Sequence, residues 1–278
     1  MLKKRILTAI LLVPLLVAAL FYLTTLWVAV LFGIFVAVGA WEWAVLAGFS
    51  GLLGKMVFML ILLVLGAIGI LGALNLPTFI FPVLVVPALW WLWMLIDLFS
   101  RKDVHRGMFA GAPSRIAGGF LVLIPVWLAS VYLYAVDVNH PRTLLFLFVL
   151  VWTADTAAYF AGSFFGKTKL APQVSPGKTR EGVAGGLIAV VLLAWVCGTM
   201  LWKYEGARLL WWIGLSVVTA FFSVVGDLAE SKLKRIAGVK DSGTLLPGHG
   251  GVLDRIDALT AAAPIFVLGW IILRKWAG

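Results

Sequence analysis

Long runs of apolar residues without a charged side chain constrain the fold of this chain more than any other feature. Several runs reach 18 or more residues, the length at which an α-helix crosses roughly 30 Å of hydrocarbon. Hydrophobic residues make up 63% of the 278 residues, well above the roughly one half that is usual in soluble domains. The chain is therefore predicted to lie in a membrane.

Hydropathy predicts an all-α, polytopic integral membrane protein with about nine transmembrane helices. The near-continuous apolarity excludes a membrane β-barrel, in which every second residue would face a polar lumen. Residues 1–278 are expected to form a single membrane-embedded domain, with less specific helices in 1–115 and a catalytic part in 116–278. The predicted spans are 6–23, 25–47, 56–74, 79–99, 116–136, 143–165, 183–202, 208–226 and 257–274.

The N-terminus has two interpretations. Lys3, Lys4 and Arg5 precede an apolar stretch at 6–20, which is also the layout of a signal peptide. The next apolar run begins near residue 26, without a soluble domain in between, and this favours a retained first span.

The distribution of basic residues predicts the orientation. The net charge is +10, and the basic residues fall in loops, so we expect no nucleic-acid partner. With the N-terminus inside, only five of the 22 Lys and Arg residues lie on the outer side: Arg142, Lys203, Arg208, Arg274 and Lys275. The N-terminus and the active site are predicted on the cytoplasmic face, and the compact chain suggests a bacterial cytoplasmic (inner) membrane.

Five of the twelve acidic residues lie between positions 227 and 257. Asp227 and Glu230 share one face of the eighth helix, and Asp254 and Asp257 share one face of the ninth. If the two helices pack antiparallel, the pairs converge, and their repulsion is relieved by a bound cation. Hard oxygen ligands indicate Mg²⁺, with one or two ions.

The segment 227–257 is predicted to be the main cytoplasmic active-site loop. Glycines at 248, 250 and 251 allow backbone amides to approach phosphate oxygens. An alternative is that the carboxylates are helix caps paired with Arg235 and Arg255, that the cations anchor lipid headgroups, and that His249 is a turn residue. The cations of this segment are Lys232, Lys234, Arg235, Lys240 and Arg255.

This segment resembles the signature of the phosphatidate cytidylyltransferase family. The matching pattern is Ser-x-Leu-Lys-Arg, Lys-Asp-x-Gly and Leu-Pro-Gly-His-Gly-Gly-x-Leu-Asp-Arg-x-Asp, from Ser231 to Asp257. The resemblance extends more loosely to 155–159 and 175–182, where Arg180 replaces a more usual aromatic residue. In the first hundred residues only hydropathy and the region 41–43 match.

The resemblance implies transfer of CMP from CTP to phosphatidate, giving CDP-diacylglycerol and pyrophosphate. It also implies a homodimer, with CTP, phosphatidate and membrane phospholipids as partners. The expected metal ligands are Asp227, Asp254 and Asp257. The expected catalytic residues are these three with Lys234 and Arg235. The expected substrate-binding residues are Asp155, Lys178, Ser231, Lys232, Lys240, Asp241, His249, Gly250 and Arg255.

Four residues outside the signature have other candidate roles. Asp155 lies inside an apolar span and is a functional candidate, with a structural hydrogen bond as the alternative. Glu42 and Asp97 lie near cytoplasmic helix ends and are expected to be structural, and Cys197 is expected to be a lipid-facing or packing residue.

Two other functions remain open at this point. A CTP-dependent polyprenol or phytol kinase is similar in membrane setting and nucleotide. A secondary transporter could use Asp155 as a coupling site, although the chain lacks the repeated halves typical of transporters. The Gly-Lys-Thr strings at 166–168 and 177–179 do not form a P-loop, because the first glycine of that motif is absent.

Overall fold

Nine helices and one short hairpin make up the described part of the chain. The computed structural model describes residues 13–76, 78–100, 103–136, 141–245 and 250–275. The helices are α1 (Val13–Tyr22), α2 (Thr25–Ala47), α3 (Leu52–Asn75), α4 (Ile80–Ser100), α5 (Ala112–Val136), α6 (Arg142–Phe165), α7 (Arg180–Met200), α8 (Gly206–Ile236) and α9 (Leu253–Lys275).

Eight of these helices, α2 to α9, are long and apolar enough to cross a membrane. They confirm eight of the nine predicted spans, and the chain is an all-α, multi-pass membrane protein. Of the first predicted span, 6–23, the structure describes α1 as helical, and residues 6–12 lie outside the described residues. Helix α2 ends at a C-cap glycine, Gly48, which adopts a φ of 98°. Its N–H donates to the carbonyls of Ala44 and Val45.

Helix α8 continues well beyond the predicted end of its span at residue 226. Hydropathy falls there because charged residues begin, but Leu, Ala, Glu, Lys and Arg are all good helix formers. One turn of this extension is also supported by the Ser231 hydroxyl, which donates to Asp227 Oδ1 at 3.3 Å. Since α9 begins at Leu253, the connection between the two helices covers only 237–252, and much of the signature is helical.

A two-stranded antiparallel hairpin occupies part of the predicted loop 166–182. Strands β1 (Lys169–Ala171) and β2 (Ser175–Thr179) form it. The Glu181 carboxylate accepts the N–H groups of Lys167 and Thr168 at 3.1 Å. Because β2 runs directly into α7, the position of Lys178 is set by both the hairpin and the helix.

The chain divides into two compact units, unit 1 and unit 2. In unit 1, α2, α3 and α5 pack around Trp127, whose indole N–H donates to the Ala29 carbonyl at 2.9 Å. The Trp127 ring lies against Gly33 and Gly66, where a Cβ would be only 2.8 and 2.6 Å from the ring. Unit 1 consists of residues 1–80, 108–145 and 233–256, and unit 2 consists of residues 81–107, 146–232 and 257–278.

In unit 2, α8 and α9 run antiparallel, as the sequence predicts. Near one end of the pair, Leu215 lies against Gly269. Towards the other end, a Cβ on Gly226 would lie 2.5 Å from the Asp257 carbonyl oxygen. This close approach needs a glycine, and it brings the first residues of α9 in unit 2 next to Asp227.

Candidate active site

An ion pair between Lys178 and Asp227 is the centre of the polar cluster in unit 2. Lys178 Nζ lies 2.6 Å from Asp227 Oδ2, and the two side chains are 24% and 28% exposed. They are therefore shielded from bulk water but still accessible. Lys178 comes from the end of β2 and Asp227 from α8, so the hairpin and the helix extension together form the pair. Sequence reasoning singled out both residues but not their pairing.

Three further acidic residues surround this pair. Asp257 on α9 interacts electrostatically with Asp227 and Lys178 and forms a side-chain hydrogen bond with Glu230. Asp155 on α6 interacts electrostatically with the same lysine and aspartate. We call these five residues the Lys178 cluster. Three of the four carboxyl groups interact with the single lysine, and the fourth, Glu230, interacts with Asp257, so carboxyl groups outnumber cations in the cluster.

The carboxyl oxygens of the Lys178 cluster are hard donors of the kind that Mg²⁺ prefers. They are not already arranged as a coordination shell. Among the residues that the structure describes, no three His, Cys, Asp or Glu side chains are grouped closely enough to hold a metal ion. The type of these donors, but not their arrangement, is that of a Mg²⁺ site, and both the metal and its ligand set remain predictions.

The signature carboxylate Asp254 belongs to unit 1 and lies within hydrogen-bond distance of four donor groups. Lys234 Nζ lies 2.6 Å from Asp254 Oδ1. Asp254 Oδ2 accepts the Gly251 N–H at 2.8 Å and both the N–H and the hydroxyl of Ser242 at 3.0 Å. Asp254 thus pairs with a lysine of the signature, where the alternative interpretation expected an arginine. Its predicted role as a metal ligand is not tested by these contacts.

Glu42 on α2 joins the same network, although the sequence indicated no functional role for it. The side chain is buried, and its carboxylate accepts hydrogen bonds from the Ser242 hydroxyl and from the N–H groups of Val252 and Leu253. Two weak signals were available in the sequence: an acidic residue at the end of an apolar span, and the family match of the region 41–43 that contains it. Its partners lie more than 190 residues further along the chain, so sequence spacing does not reveal them.

Lys232, predicted to bind phosphate, forms a buried ion pair in unit 2. Its Nζ lies 2.5 Å from Asp97 Oδ2 on α4, and both side chains are only 3% exposed. Gly107, with a φ of 100°, lies so close to the Asp97 carboxylate that a Cβ would collide with it. In this structure the Lys232 cation is committed to Asp97, and contact with a substrate phosphate remains a prediction.

The other predicted site residues lie at the surface or outside the described residues. Gly250 adopts a φ of 80°, which lets it pass close to the Asp254 carboxylate. His249 lies outside the described residues. Roles in phosphate binding stay predictions for the exposed Arg235, Lys240, Asp241 and Arg255.

Together, the fold and these clusters define a multi-pass helical membrane protein with lysine–carboxylate pairs that are largely shielded from water. The family model described as "Cytidylyltransferase family" matches residues 3–272. The chain therefore belongs to the cytidylyltransferase family.

Relatives of known name match over different lengths. The chain is 42% identical over 266 residues to phosphatidate cytidylyltransferase of Pseudomonas aeruginosa, covering 96% of each chain. It is 38% identical over 285 residues to the phosphatidate cytidylyltransferase of Haemophilus influenzae, covering 96% of this chain and 97% of the relative. The phosphatidate cytidylyltransferase of Bacillus subtilis is 38% identical over 154 residues, which is 52% of this chain and 55% of the relative.

Proposed function

We propose that this chain is a phosphatidate cytidylyltransferase that transfers CMP from CTP to phosphatidate. The products are CDP-diacylglycerol and pyrophosphate. The observation that carries the proposal is the pairing of two carboxylates with lysines at 2.6 Å, Asp227 with Lys178 and, within the signature, Asp254 with Lys234. The relatives from Pseudomonas aeruginosa and Haemophilus influenzae, which match over nearly the whole chain and carry this name, support it.

The attacking group requires little activation. The lipid phosphate is a monoester with a second pKa near 6, so it is largely dianionic at neutral pH. One of its oxygens forms a bond to the α-phosphorus of CTP, while the bond from that phosphorus to the bridging oxygen breaks and pyrophosphate departs. Because no proton has to be removed, positioning and charge neutralisation are the main tasks of the protein.

Lys178 and Lys234 are suited to these tasks. Each ammonium group has three N–H donors, so it can keep its carboxylate partner and still donate to a phosphate oxygen. The carboxylates hold the ammonium groups in place before the substrates arrive, which reduces the entropy lost on binding. Their partial burial strengthens the attraction to phosphate relative to bulk water.

We propose Mg²⁺, as one or two ions, as the cofactor, with Asp227 and Asp257 of the Lys178 cluster as ligands. The excess of carboxyl groups over lysines in that cluster supports this assignment. When bound, the ion would neutralise charge on the CTP phosphates and on the departing pyrophosphate. Asp254 is the third ligand expected from the sequence.

The family resemblance and the charge distribution support three further parts of the proposal. These are a bacterial inner-membrane location, a cytoplasmic active site and a homodimer. Only five of the 22 basic residues lie on the predicted outer side, and the relatives of known name come from bacteria. Cross-linking in native membranes, followed by mass measurement in detergent, tests the dimer.

The test of the function is a transfer assay with purified protein, phosphatidate, Mg²⁺ and CTP labelled separately at the α- and γ-phosphates. We expect α-label in the lipid and γ-label in free pyrophosphate, and loss of both when EDTA removes divalent cations. The appearance of γ-label on a lipid would instead indicate a kinase. Absence of any transfer would reject enzyme chemistry and favour a transporter, and full activity in EDTA would reject the metal assignment alone.

A further inference from the structure

Glu42 carries a negative charge in a part of the protein where charge is costly. Its residue surface is only 5% exposed, and it lies near the end of the membrane-spanning helix α2. A buried carboxylate needs several strong hydrogen bonds to remain there. Glu42 has three: Oε1 accepts the Val252 N–H at 3.0 Å, and Oε2 accepts the Leu253 N–H at 2.8 Å and the Ser242 hydroxyl at 3.0 Å.

Two of these donors are backbone N–H groups at the beginning of α9. The first N–H groups of a helix have no partner within the helix, and the positive end of the helix dipole favours an anion there. Glu42 thus serves as a cap for α9 that comes from a distant helix. The third donor, Ser242, lies ten residues before Val252 in the sequence. The Glu42 carboxylate therefore contacts the chain at two separate points, at Ser242 and at the beginning of α9.

The loop has glycines where the carboxylate needs space. A Cβ on Gly243 would lie 2.5 Å from Glu42 Oε1. A Cβ on Gly251 would collide with the Ser242 hydroxyl and with both Glu42 oxygens. Larger residues at these two positions would displace the carboxylate, so the loop sequence and Glu42 depend on each other.

Glu42 is itself held firmly by the next residue. Trp43 is 2% exposed, and its indole N–H donates to the Arg115 carbonyl on α5 at 2.8 Å. The Trp43 ring also packs edge-on against Phe109, with centroids 5.9 Å apart. A carboxylate on so rigid a support can define the position of a loop that binds to it.

Ser242 connects Glu42 with the signature carboxylate. Its hydroxyl lies 3.0 Å from both Glu42 Oε2 and Asp254 Oδ2, and its N–H also donates to Asp254 Oδ2. A hydroxyl has a single proton, so the two carboxylates share one donor. Ser242 thus links Glu42 to Asp254, which in turn holds Lys234.

We propose that Glu42 is a positioning residue that holds Ser242 and the beginning of α9, and thereby fixes Asp254 and, through it, the Lys234 ammonium group that faces the phosphates of CTP. This inference rests on the proposed function. It goes beyond the signature, because Glu42 lies about 190 residues before it and touches neither substrate nor reacting atoms.

The experiment compares Glu42→Gln with wild-type protein and with the exposed control Glu205→Gln. The amide keeps the volume of Glu42 but replaces one acceptor oxygen with an NH₂ group that faces N–H donors. Loss of one charged hydrogen bond predicts a fall in kcat/KM for CTP of about 10- to 150-fold. The same change should accelerate amide hydrogen exchange at Val252 and Leu253 by a similar factor, while Glu205→Gln stays within about twofold of wild type.

A double-mutant cycle with Ser242→Ala tests the transmission to Asp254. If Glu42 acts through Ser242, the double variant loses less kcat/KM than the product of the two single losses. If the fall in kcat/KM of the double variant equals the product of the two single falls, the positioning role is overturned. It is also overturned if Glu42→Gln leaves both the amide exchange rates and kcat/KM unchanged. If Glu42→Gln fails to insert, Gly243→Ala decides instead, because its Cβ would lie 2.5 Å from Glu42 Oε1 and its three nearest atoms all belong to Glu42. It displaces the Glu42 carboxylate and must still lower kcat/KM, and an unchanged kcat/KM would overturn the positioning role.

Failure of the proposed function would give a different experimental result. It would appear as absence of cytidylyl transfer in wild-type protein, and the positioning role in catalysis would then be rejected. The exchange rates at Val252 and Leu253 would still show whether Glu42 holds the loop.

Discussion

The buried pair of Lys232 and Asp97 offers a sharp test of the structure, because two roles for Lys232 predict opposite results. In the structure the pair is 2.5 Å long and each side chain is 3% exposed. In the sequence-based prediction, Lys232 instead binds a phosphate of the substrate. Replacement of Asp97 by Leu, a residue of similar size, leaves the ammonium group buried without its carboxylate.

The expected magnitude follows from the burial. Removal of one partner of a buried ion pair destabilises a protein by about 3–5 kcal/mol, whereas replacement of both partners by apolar residues is often neutral or stabilising. For a chain of this size, such a loss lowers the unfolding temperature by roughly 6–20 °C. We therefore expect a large decrease for Asp97→Leu and recovery to near the wild-type value for Asp97→Leu combined with Lys232→Met.

The assay is thermal unfolding in detergent followed by tryptophan fluorescence, which the 14 tryptophans of the chain make sensitive. The matched control is Asp103→Leu. Asp103 pairs with Arg106 at 3.3 Å, but the two side chains are 52% and 78% exposed, so we expect a change of less than about 1 kcal/mol.

The double variant then decides the role of Lys232. If the pair is structural, Asp97→Leu with Lys232→Met keeps most of the cytidylyl transfer activity. A stable double variant that has lost activity by a large factor would refute this reasoning and restore Lys232 as a phosphate ligand.

Two further predictions concern the Lys178 cluster and the orientation. Asp227→Asn should lower activity about 100-fold or more while leaving the protein inserted; Asp103→Asn is the exposed control, and wild-type turnover of Asp227→Asn would remove this residue from the site. In a Cys197→Ala background, a cysteine at Lys240 should react with a membrane-impermeant maleimide only in inverted vesicles, and one at Lys203 only in right-side-out cells. The reverse pattern would contradict a cytoplasmic active site.

The transmembrane architecture was largely predictable from the sequence. A helix that crosses lipid has to satisfy all its backbone polar groups internally and present apolar side chains. Each span can therefore be recognised from the composition of its own segment. Helix α2 begins and ends where hydropathy predicts. Helix α8 continues beyond the predicted end at residue 226. Hydropathy marks the end of the apolar span, whereas the helix continues as long as its residues favour helical structure.

The candidate site was predictable in its residues but not in its contacts. Asp227, Lys178, Asp254 and Lys234 were all identified from clustering and from the signature. The sequence could not show that each lysine pairs with a carboxylate, since the partners are 49 and 20 residues apart in the chain and come from different elements.

What the sequence alone determined is the class of fold and the chemical type of the site, because apolar length and the residue types of a signature are local properties. Only the tertiary structure shows which partners Glu42 and Lys232 have. A buried charge is stabilised by whichever donors or opposite charge lie beside it. For Glu42 and Lys232 those partners are Ser242, two N–H groups of α9 and Asp97, all brought near by folding.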